Sequence, residues 1–565
     1  VDLATAWAWT VERYPHRRAV GGPAPMTWSA WDARTARLAH ALAGLGVRHG
    51  DRVALVLTGG EPAAALHIAV QRLAAVAVPL STRLGPEELV HCLADAAPAV
   101  VVSDDATGER VAAAVADPRI RPHSHRSIAE LEQLAADAPD SAPPGGAPRP
   151  DDVSVMLYTS GTTGRPKGVP RTHAAEHAAA VAHLVQTGGR PGEVTLGVMP
   201  LFHTMGLRTL LATIIAAGTW VPQARFDAAE AGELVAAEGI TSLYLVPTMY
   251  WTLLRETSLA SLRSVRRLAY AGAAMAPALA EQLVETVAPE SFVNHFGSTE
   301  IYTFSIGPDV AAKPGCAGRA GVFSRVRLVD PSPDARPDAV VDPGEQGQVA
   351  VSMASPEAFA GYWRRPDATA KAVRDGWYFT GDLAVADDDG DLWVAGRVDD
   401  MINSGGENVY PDEIEAALVR CPQIADAVVA GLPDERWGQA ITAFVVPAPG
   451  VDPGEAVAAT GRWGRAELPS LKRPKRVVAL TTVPRSAVGK TLRRVLVAGE
   501  FDALADSAAA AAAAPVPSEG PLRSDRSSDG APRSEHSAGA RSGGGRPSAD
   551  RSTEGALRSE PEARP

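Results

Sequence analysis

Tyr158-Thr159-Ser160-Gly161-Thr162-Thr163-Gly164-Arg165-Pro166-Lys167-Gly168-Val169 is the stretch from which the fold can be read. Small and hydroxylated residues alternate with Gly161, Gly164 and Gly168, and Lys167 stands near the end. Glycines let a backbone turn tightly and approach an anion, so amides and the Thr and Ser hydroxyls can point at phosphate oxygens. Upstream, Val153 to Tyr158 alternates like a buried strand. The loop therefore leaves a strand end, where α/β proteins bind their ligands. No Gly-Lys-Ser/Thr closes it, which excludes a Walker A loop. The stretch predicts a nucleotide-phosphate loop in an α/β protein.

Working outward, the same alternation of strand and helix recurs. Ser29 to Leu45 carries apolar residues at helical spacing, and Arg52 to Leu57 reads as a strand closed by Thr58-Gly59-Gly60. A helix from about Pro62 to Ala75 and a strand from Val76 to Leu80 follow. Asp137 to Pro150 reads as a linker. Further strands are expected at Thr195–Val198, Leu243–Val246, Arg267–Ala271 and Ser291–Asn294, which predicts parallel sheets covered by helices. Residues 315–395 change to short strands with Gly/Pro/Asp turns, an all-β segment. A smaller α+β pattern begins at Asp399, and its helix should open at Pro411. Past Ala508–Ala514 the chain is rich in Ser, Arg, Gly, Pro and Glu, a composition that cannot bury enough apolar surface to fold. The expected domains are therefore 1–398, 399–500 and a tail over 501–565.

The chain has 565 residues, too many for one ordinary core. A hydrophobic share of 45% and a charged share of 21% are globular values, and the net charge of −12 argues against nucleic-acid binding. Cys92, Cys316 and Cys421 lie far apart with no CxxC, which points to a reducing compartment without a zinc site. No apolar run reaches membrane-spanning length, and the first residues lack a signal-peptide core. A cytoplasmic protein that binds no membrane is expected.

A second constellation, Asn294-His295-Phe296-Gly297-Ser298-Thr299-Glu300, follows a strand and ends in a hydroxyl beside a carboxylate. Thr299 can meet an α-phosphate oxygen, and Glu300 can hold Mg²⁺, a hard ion that prefers oxygen. Trp377-Tyr378-Phe379-Thr380-Gly381-Asp382, Gly396-Arg397-Val398-Asp399-Asp400 and Pro484-Arg485-Ser486-Ala487-Val488-Gly489-Lys490 come next in order. Together with the phosphate loop these motifs resemble the adenylate-forming superfamily, in particular its acyl- and aryl-CoA ligases of the 4-chlorobenzoate or benzoate type. The likeness runs over residues 1 to about 500.

That resemblance implies a large N-terminal domain of two α/β subdomains plus a β-barrel-like one, and a small mobile α+β domain. It implies that Thr159, Ser160, Gly161, Thr162, Thr163, Gly164 and Lys167 hold ATP phosphates. Phe296 would lie against adenine, Asp382 would accept from both ribose hydroxyls, and Arg397 would assist at ribose and phosphate. Asp399 corresponds to the hinge. Gly405 and Gly406 would leave room for a pantetheine arm, and Lys490 would meet the carboxylate and α-phosphate as charge builds there.

His203 matches an aromatic gate beside the acid, with Thr204, Met205, Ala273, His295, Ile301 and Tyr302 as further pocket candidates. These make a mostly apolar cavity with no arginine evident for a second carboxylate, so an aromatic or cyclic acid is expected. Arg83, Trp437 and the Lys472-Arg473-Pro474-Lys475 cluster match places where the CoA nucleotide is met, with Arg473 as the leading phosphate contact. Leu471 departs from an aromatic there, which removes the expected stacking. The implied activity is ligation of a carboxylic acid to CoA with ATP and Mg²⁺, releasing AMP and pyrophosphate. The alternative is a stand-alone enzyme that loads a carrier protein or performs one half-reaction. A monomer or a homodimer would serve either.

Overall fold

Runs of Val, Leu and Ala form the middle of each sheet, because strands covered by helices on both faces must be apolar on both. The computed structural model describes residues 1–143, 145–159, 165–332, 334–404, 407–434, 436–485 and 491–507. Within it one six-stranded sheet runs in the order Ser124–Ser127, Val100–Ser103, Arg52–Val56, Val76–Pro79, Val153–Thr159, Lys167–Thr172. All neighbours are parallel except the last pair, which is antiparallel. Val76–Pro79 and Val100–Ser103 are buried throughout.

The second sheet has nine strands. Its middle six are parallel: Ser291–Phe296, Arg267–Ala271, Ser242–Leu245, Val194–Gly197, Thr219–Pro222 and Arg18–Val20. Short antiparallel strands close both edges. The expected strands and helices are present, most within a residue or two of their expected bounds; the helix expected over 62–75 runs Glu61–Arg72 and stops three residues short. Helix Trp28–Gly44 shows why it forms: Thr27 caps it by accepting from the Ala30 amide at 3.2 Å, and Trp28, Trp31, Thr35, Leu38 and Leu42 share the buried face. Trp31 packs edge-on against Trp7 at 5.1 Å and stacks on Trp220 at 6.5 Å, which ties this helix to the second sheet.

The all-β segment is a five-stranded antiparallel sheet: Val326–Val329, Gln346–Ser352, Trp377–Ala386, Val373–Arg374 and Leu392–Arg397. Beyond it a third α+β layer is centred on Ile424–Asp434 and Gly438–Pro447, with helix Pro411–Leu418 opening at its proline. This sheet runs past residue 500. Ala505–Asp506 pairs with Arg476–Ala479, Asp506 meets Arg476, and Phe501 packs on Phe444 at 5.0 Å. Among the described residues no helix is long and apolar enough to cross a membrane. The three cysteines are buried and unbridged. All the described residues belong to the unit Val1–Ala513.

Candidate active site

Strand Ser291–Phe296 ends at Phe296, and the chain turns back so tightly that the Ser298 amide donates to the Ile301 carbonyl at 2.9 Å. The turn needs Gly297, because a Cβ there would lie 2.1 Å from the Tyr302 carbonyl oxygen. Thr299 is thereby left half-buried and Glu300 buried. Glu300 Oε1 accepts from the Tyr362 hydroxyl at 2.6 Å. Lys167, half-buried at the start of its strand, places its ammonium 4.3 Å from the centre of the Tyr362 ring. Burial lowers the Lys167 pKa, and the Glu300 carboxylate opposes that shift.

Asp382 and Arg397 face each other across a strand pair and form an ion pair. Arg397 also donates to the Thr380 carbonyl at 3.2 Å, and the Asp382 amide donates to the Thr380 hydroxyl at 2.9 Å. Burial works against the charge on Arg397, but Asp382 and Tyr378 outweigh it and raise its pKa. Tyr378 adjoins Glu300, Tyr362 and Asp382, and burial with these neighbours holds its hydroxyl well above the usual range. The phosphate-loop lysine, the hydroxyl–carboxylate turn and the aspartate–arginine pair therefore converge on one wall. Its body is aromatic: Phe296 on Phe304 at 5.3 Å, Phe304 by Tyr378 at 6.2 Å, and Phe359 by Tyr362 at 5.1 Å.

Behind the wall lies a residue that sequence reading passed over. Arg171 is fully buried and paired with the equally buried Glu176. It donates to the main-chain carbonyls of Thr299 at 3.3 Å, Glu300 at 3.2 Å and Glu357 at 2.8 Å. Its guanidinium lies 3.6 Å from the centre of the Tyr302 ring. The backbone beneath Thr299 and Glu300 is thus held by one cation.

His203 caps helix Thr204–Ile215, its Nδ1 accepting from the Met205 amide at 3.2 Å. That bond leaves the ring proton on Nε2. Gly206 lets the helix approach, since a Cβ would sit 2.3 Å from the Pro200 carbonyl oxygen. Thr204 is half-buried, and Ala273 is exposed on the loop after Arg267–Ala271. Met205 and His295 are buried, Ile301 sits in the core of the aromatic wall, and Tyr302 is covered by Arg171.

In the third layer, Trp437 is flanked by Arg436 at 4.9 Å and Lys475 at 4.8 Å from its ring centre. Arg473, donating to the Leu468 carbonyl at 2.9 Å, is near enough to lower the Lys475 pKa, after burial. Arg83 is exposed on the loop before helix Pro86–Ala96, and among the described residues no contact joins it to this cluster. Arg493 donates to Asp400 at 2.7 Å, Asp412 at 2.8 Å and Glu415 at 2.8 Å, and it too was missed from sequence. Ser160, Gly161, Thr162, Thr163, Gly164, Gly405, Gly406 and Lys490 lie outside the described residues.

The Glu300 carboxylate and the hydroxyl beside it offer oxygens that suit a hard divalent ion, and the Lys167 ammonium across the Tyr362 ring suits phosphate. The aspartate suits a diol. Comparison with known proteins agrees with this geometry. The model of the AMP-binding enzyme family matches residues 7–363, and that of the AMP-binding enzyme C-terminal domain matches 413–490. The chain is 38% identical to a feruloyl-CoA synthase from Amycolatopsis sp over 86% of its own length and 97% of the relative's. It is 33% identical to a 4-chlorobenzoate–CoA ligase from Arthrobacter sp, covering 86% and 93%. The ATP-bound crystal structure of MatB from Rhodopseudomonas palustris superposes with a TM-score of 0.79 at 28% identity, covering 89% and 99%.

Proposed function

This chain belongs to the AMP-binding enzyme family, and from that premise we propose that it joins an aromatic carboxylic acid to coenzyme A. It is an AMP-forming acid–CoA ligase that uses ATP. The convergence of Lys167, Thr299–Glu300 and Asp382–Arg397 on the wall of Tyr362 and Tyr378 carries the ATP-dependent reading, and the aromatic acid is supported by the likeness to a feruloyl-CoA synthase and a 4-chlorobenzoate–CoA ligase.

In the first half-reaction a carboxylate oxygen of the acid attacks the α-phosphorus of ATP. The bond to the β-phosphate breaks and pyrophosphate leaves with its electron pair. Lys167, with the hydroxyls and amides of residues 159–164, holds the outer phosphates, and Thr299 holds the α-phosphate. Asp382 accepts from the ribose hydroxyls, Arg397 orients it, and Phe296 lies against adenine. Glu300 would hold Mg²⁺, which neutralises phosphate charge when bound. Lys490 meets the charge that builds at phosphorus, where positioned cations act with most effect.

In the second half-reaction the CoA thiol attacks the acyl carbon. The bond to AMP breaks, AMP leaves, and the thiol proton passes to solvent. The domain beyond 398 turns at Asp399 between the two steps. Trp437, Arg473 and Lys475 offer a ring and cations to the CoA nucleotide, Arg83 adds a cation, and Gly405 and Gly406 admit its arm. A chain of this class acts in the cytoplasm.

The test is ATP–pyrophosphate exchange over a panel of aromatic, cyclic and aliphatic acids, followed by AMP release with CoA or pantetheine. Exchange with aromatic acids and saturable AMP release with CoA are expected. Exchange confined to aliphatic acids would overturn the aromatic reading, and AMP release indifferent to CoA would overturn the acceptor.

A further inference from the structure

Four buried polar side chains from four different elements meet on one face of the nine-stranded sheet. Tyr244 on Ser242–Leu245 and His295 on Ser291–Phe296 have ring centres 5.2 Å apart, and His183 of helix His173–Thr187 lies 5.0 Å from one and 5.3 Å from the other. On the strand between them the residues paired with these two are alanines: Tyr244 pairs with Ala269, and Ala271 pairs with His295. Arg208, on helix Thr204–Ile215, donates to the Tyr244 hydroxyl and to Thr303 Oγ1 at 2.7 Å. Arg208, Tyr244 and His295 are no more than 2% exposed, and His183 is 6% exposed.

Such groups are normally paired, since a buried donor or acceptor without a partner costs free energy. Here both ring nitrogens of His295, Nδ1 of His183 and Nε of Arg208 have no hydrogen-bond partner. Burial, then Arg208 and His183, presses the His295 pKa well below its ordinary value, so its ring is neutral. A neutral imidazole offers one N–H and one lone pair, the complement of a hydroxyl. A second carboxylate is a poorer match. The two buried guanidiniums, Arg171 and Arg208, already face two buried carboxyls, Glu176 and Glu357.

The position suits a substituent on the acid. Arg208 lies one helical turn, about 6 Å of rise, beyond Thr204, one of the residues expected to line the acid pocket. His295 stands at most roughly 14 Å of chain before Thr299. We propose that His295 and His183, backed by Arg208 and Tyr244, form a polar floor to the acid pocket that recognises a ring hydroxyl on the aromatic acid. The inference rests on the aromatic-acid reading above and adds the chemistry of the far end of the ring.

The experiment compares kcat/KM in ATP–pyrophosphate exchange for matched pairs, benzoate against its monohydroxy isomers and cinnamate against its own. At least one hydroxylated acid should exceed its parent by about tenfold or more, because a site built to bond a hydroxyl rejects the analogue that lacks it. In His295→Phe that ratio should fall close to one, and in His295→Gln, which keeps a donor and an acceptor, most of it should return. A ratio near one for every pair in the wild type overturns the inference by itself, whether or not the variants fold, and leaves the ligase reading standing. A ratio unchanged in a folded His295→Phe also overturns it. Exchange with no aromatic acid at all defeats the substrate reading first, and the inference with it.

Discussion

The wall proposed to face the nucleotide and the proposed floor of the acid pocket are built from similar side chains and finished differently. On the wall each of these groups has a partner within the chain, Glu300 with Tyr362, Asp382 with Arg397, Arg171 with Glu176 and three carbonyls, although Nη2 of Arg171, Oε2 of Glu176 and Nε of Arg397 have none. On the floor, His295 has no hydrogen-bond partner at either ring nitrogen. A surface that holds the same ligand in every turnover gains from being set beforehand, since no reorganisation is then spent at the moment of reaction. A surface that chooses among acids gains from groups left unpaired until the right one arrives.

The contrast can be broken most severely from behind the wall. Arg171→Met would strand Glu176 in the core, so unfolding free energy in urea should fall by about 3–5 kcal/mol, while Arg171→Met with Glu176→Leu should recover most of it. A single variant as stable as the wild type would show that the pair does not hold the wall. Next in size is Lys490→Ala. Adenylation followed by pyrophosphate release should drop by about 10²–10³-fold, with thioester formation from supplied acyl-adenylate largely spared. Equal loss in both steps would remove the lysine from the first.

Arg473→Ala tests the third layer. If its charge-assisted contact with CoA contributes about 1.5–3 kcal/mol, the KM for CoA should rise by one to two powers of ten. Pantetheine, which lacks the nucleotide, should respond to neither form. The last prediction, small per pH unit, sharpens the cost of burying unprotonated rings. Burial, then His173, depresses the His67 pKa to about 3, whereas the unfolded value is 6.5. Between those values the unfolded chain binds the extra proton, so the stabilisation is complete above pH 6.5 and is lost as pH falls toward 3. His67→Phe should reduce the slope of unfolding free energy against pH by about 1.4 kcal/mol per unit over that window. An unchanged slope would mean that His67 is protonated in the folded state.

Lys167, Thr299 and Glu300 stood out in sequence because they sit in runs with a chemical logic of their own, a glycine-rich stretch and a hydroxyl beside a carboxylate; Asp382 and Arg397 were found only through the resemblance, and Tyr362, which donates to Glu300, was not found. The sheets were legible because buried parallel strands are short apolar runs between helices. The floor was not. Arg208 and Tyr244 lie in largely apolar elements and His183 is one of three histidines on its helix, and only the packing of two helices on the sheet brings them to His295. Arg171 was hidden for a related reason. It precedes the cap of helix His173–Thr187 by one residue, so its pairing with Glu176 follows no helical spacing and reads in sequence as a surface charge. The strand Trp377–Ala386 was read only as a motif, although ten residues of it form the middle of a sheet. Its polar Thr380 and Asp382 interrupt the apolar pattern where the site required them.

Thr159 and Lys167 are cross-strand partners, so residues 160–166 connect two antiparallel strands at the edge of a parallel sheet. This arrangement limits changes of length at both ends. Extra residues in the connection cost little closure entropy, which varies slowly with length, but would displace the amides and hydroxyls proposed to hold phosphate. A loss of one residue from the returning strand shifts its register and turns Lys167 to the opposite face, away from Tyr362. Variation among descendants of this chain is therefore expected to appear there as substitution, with the lengths of the connection and of the returning strand held fixed.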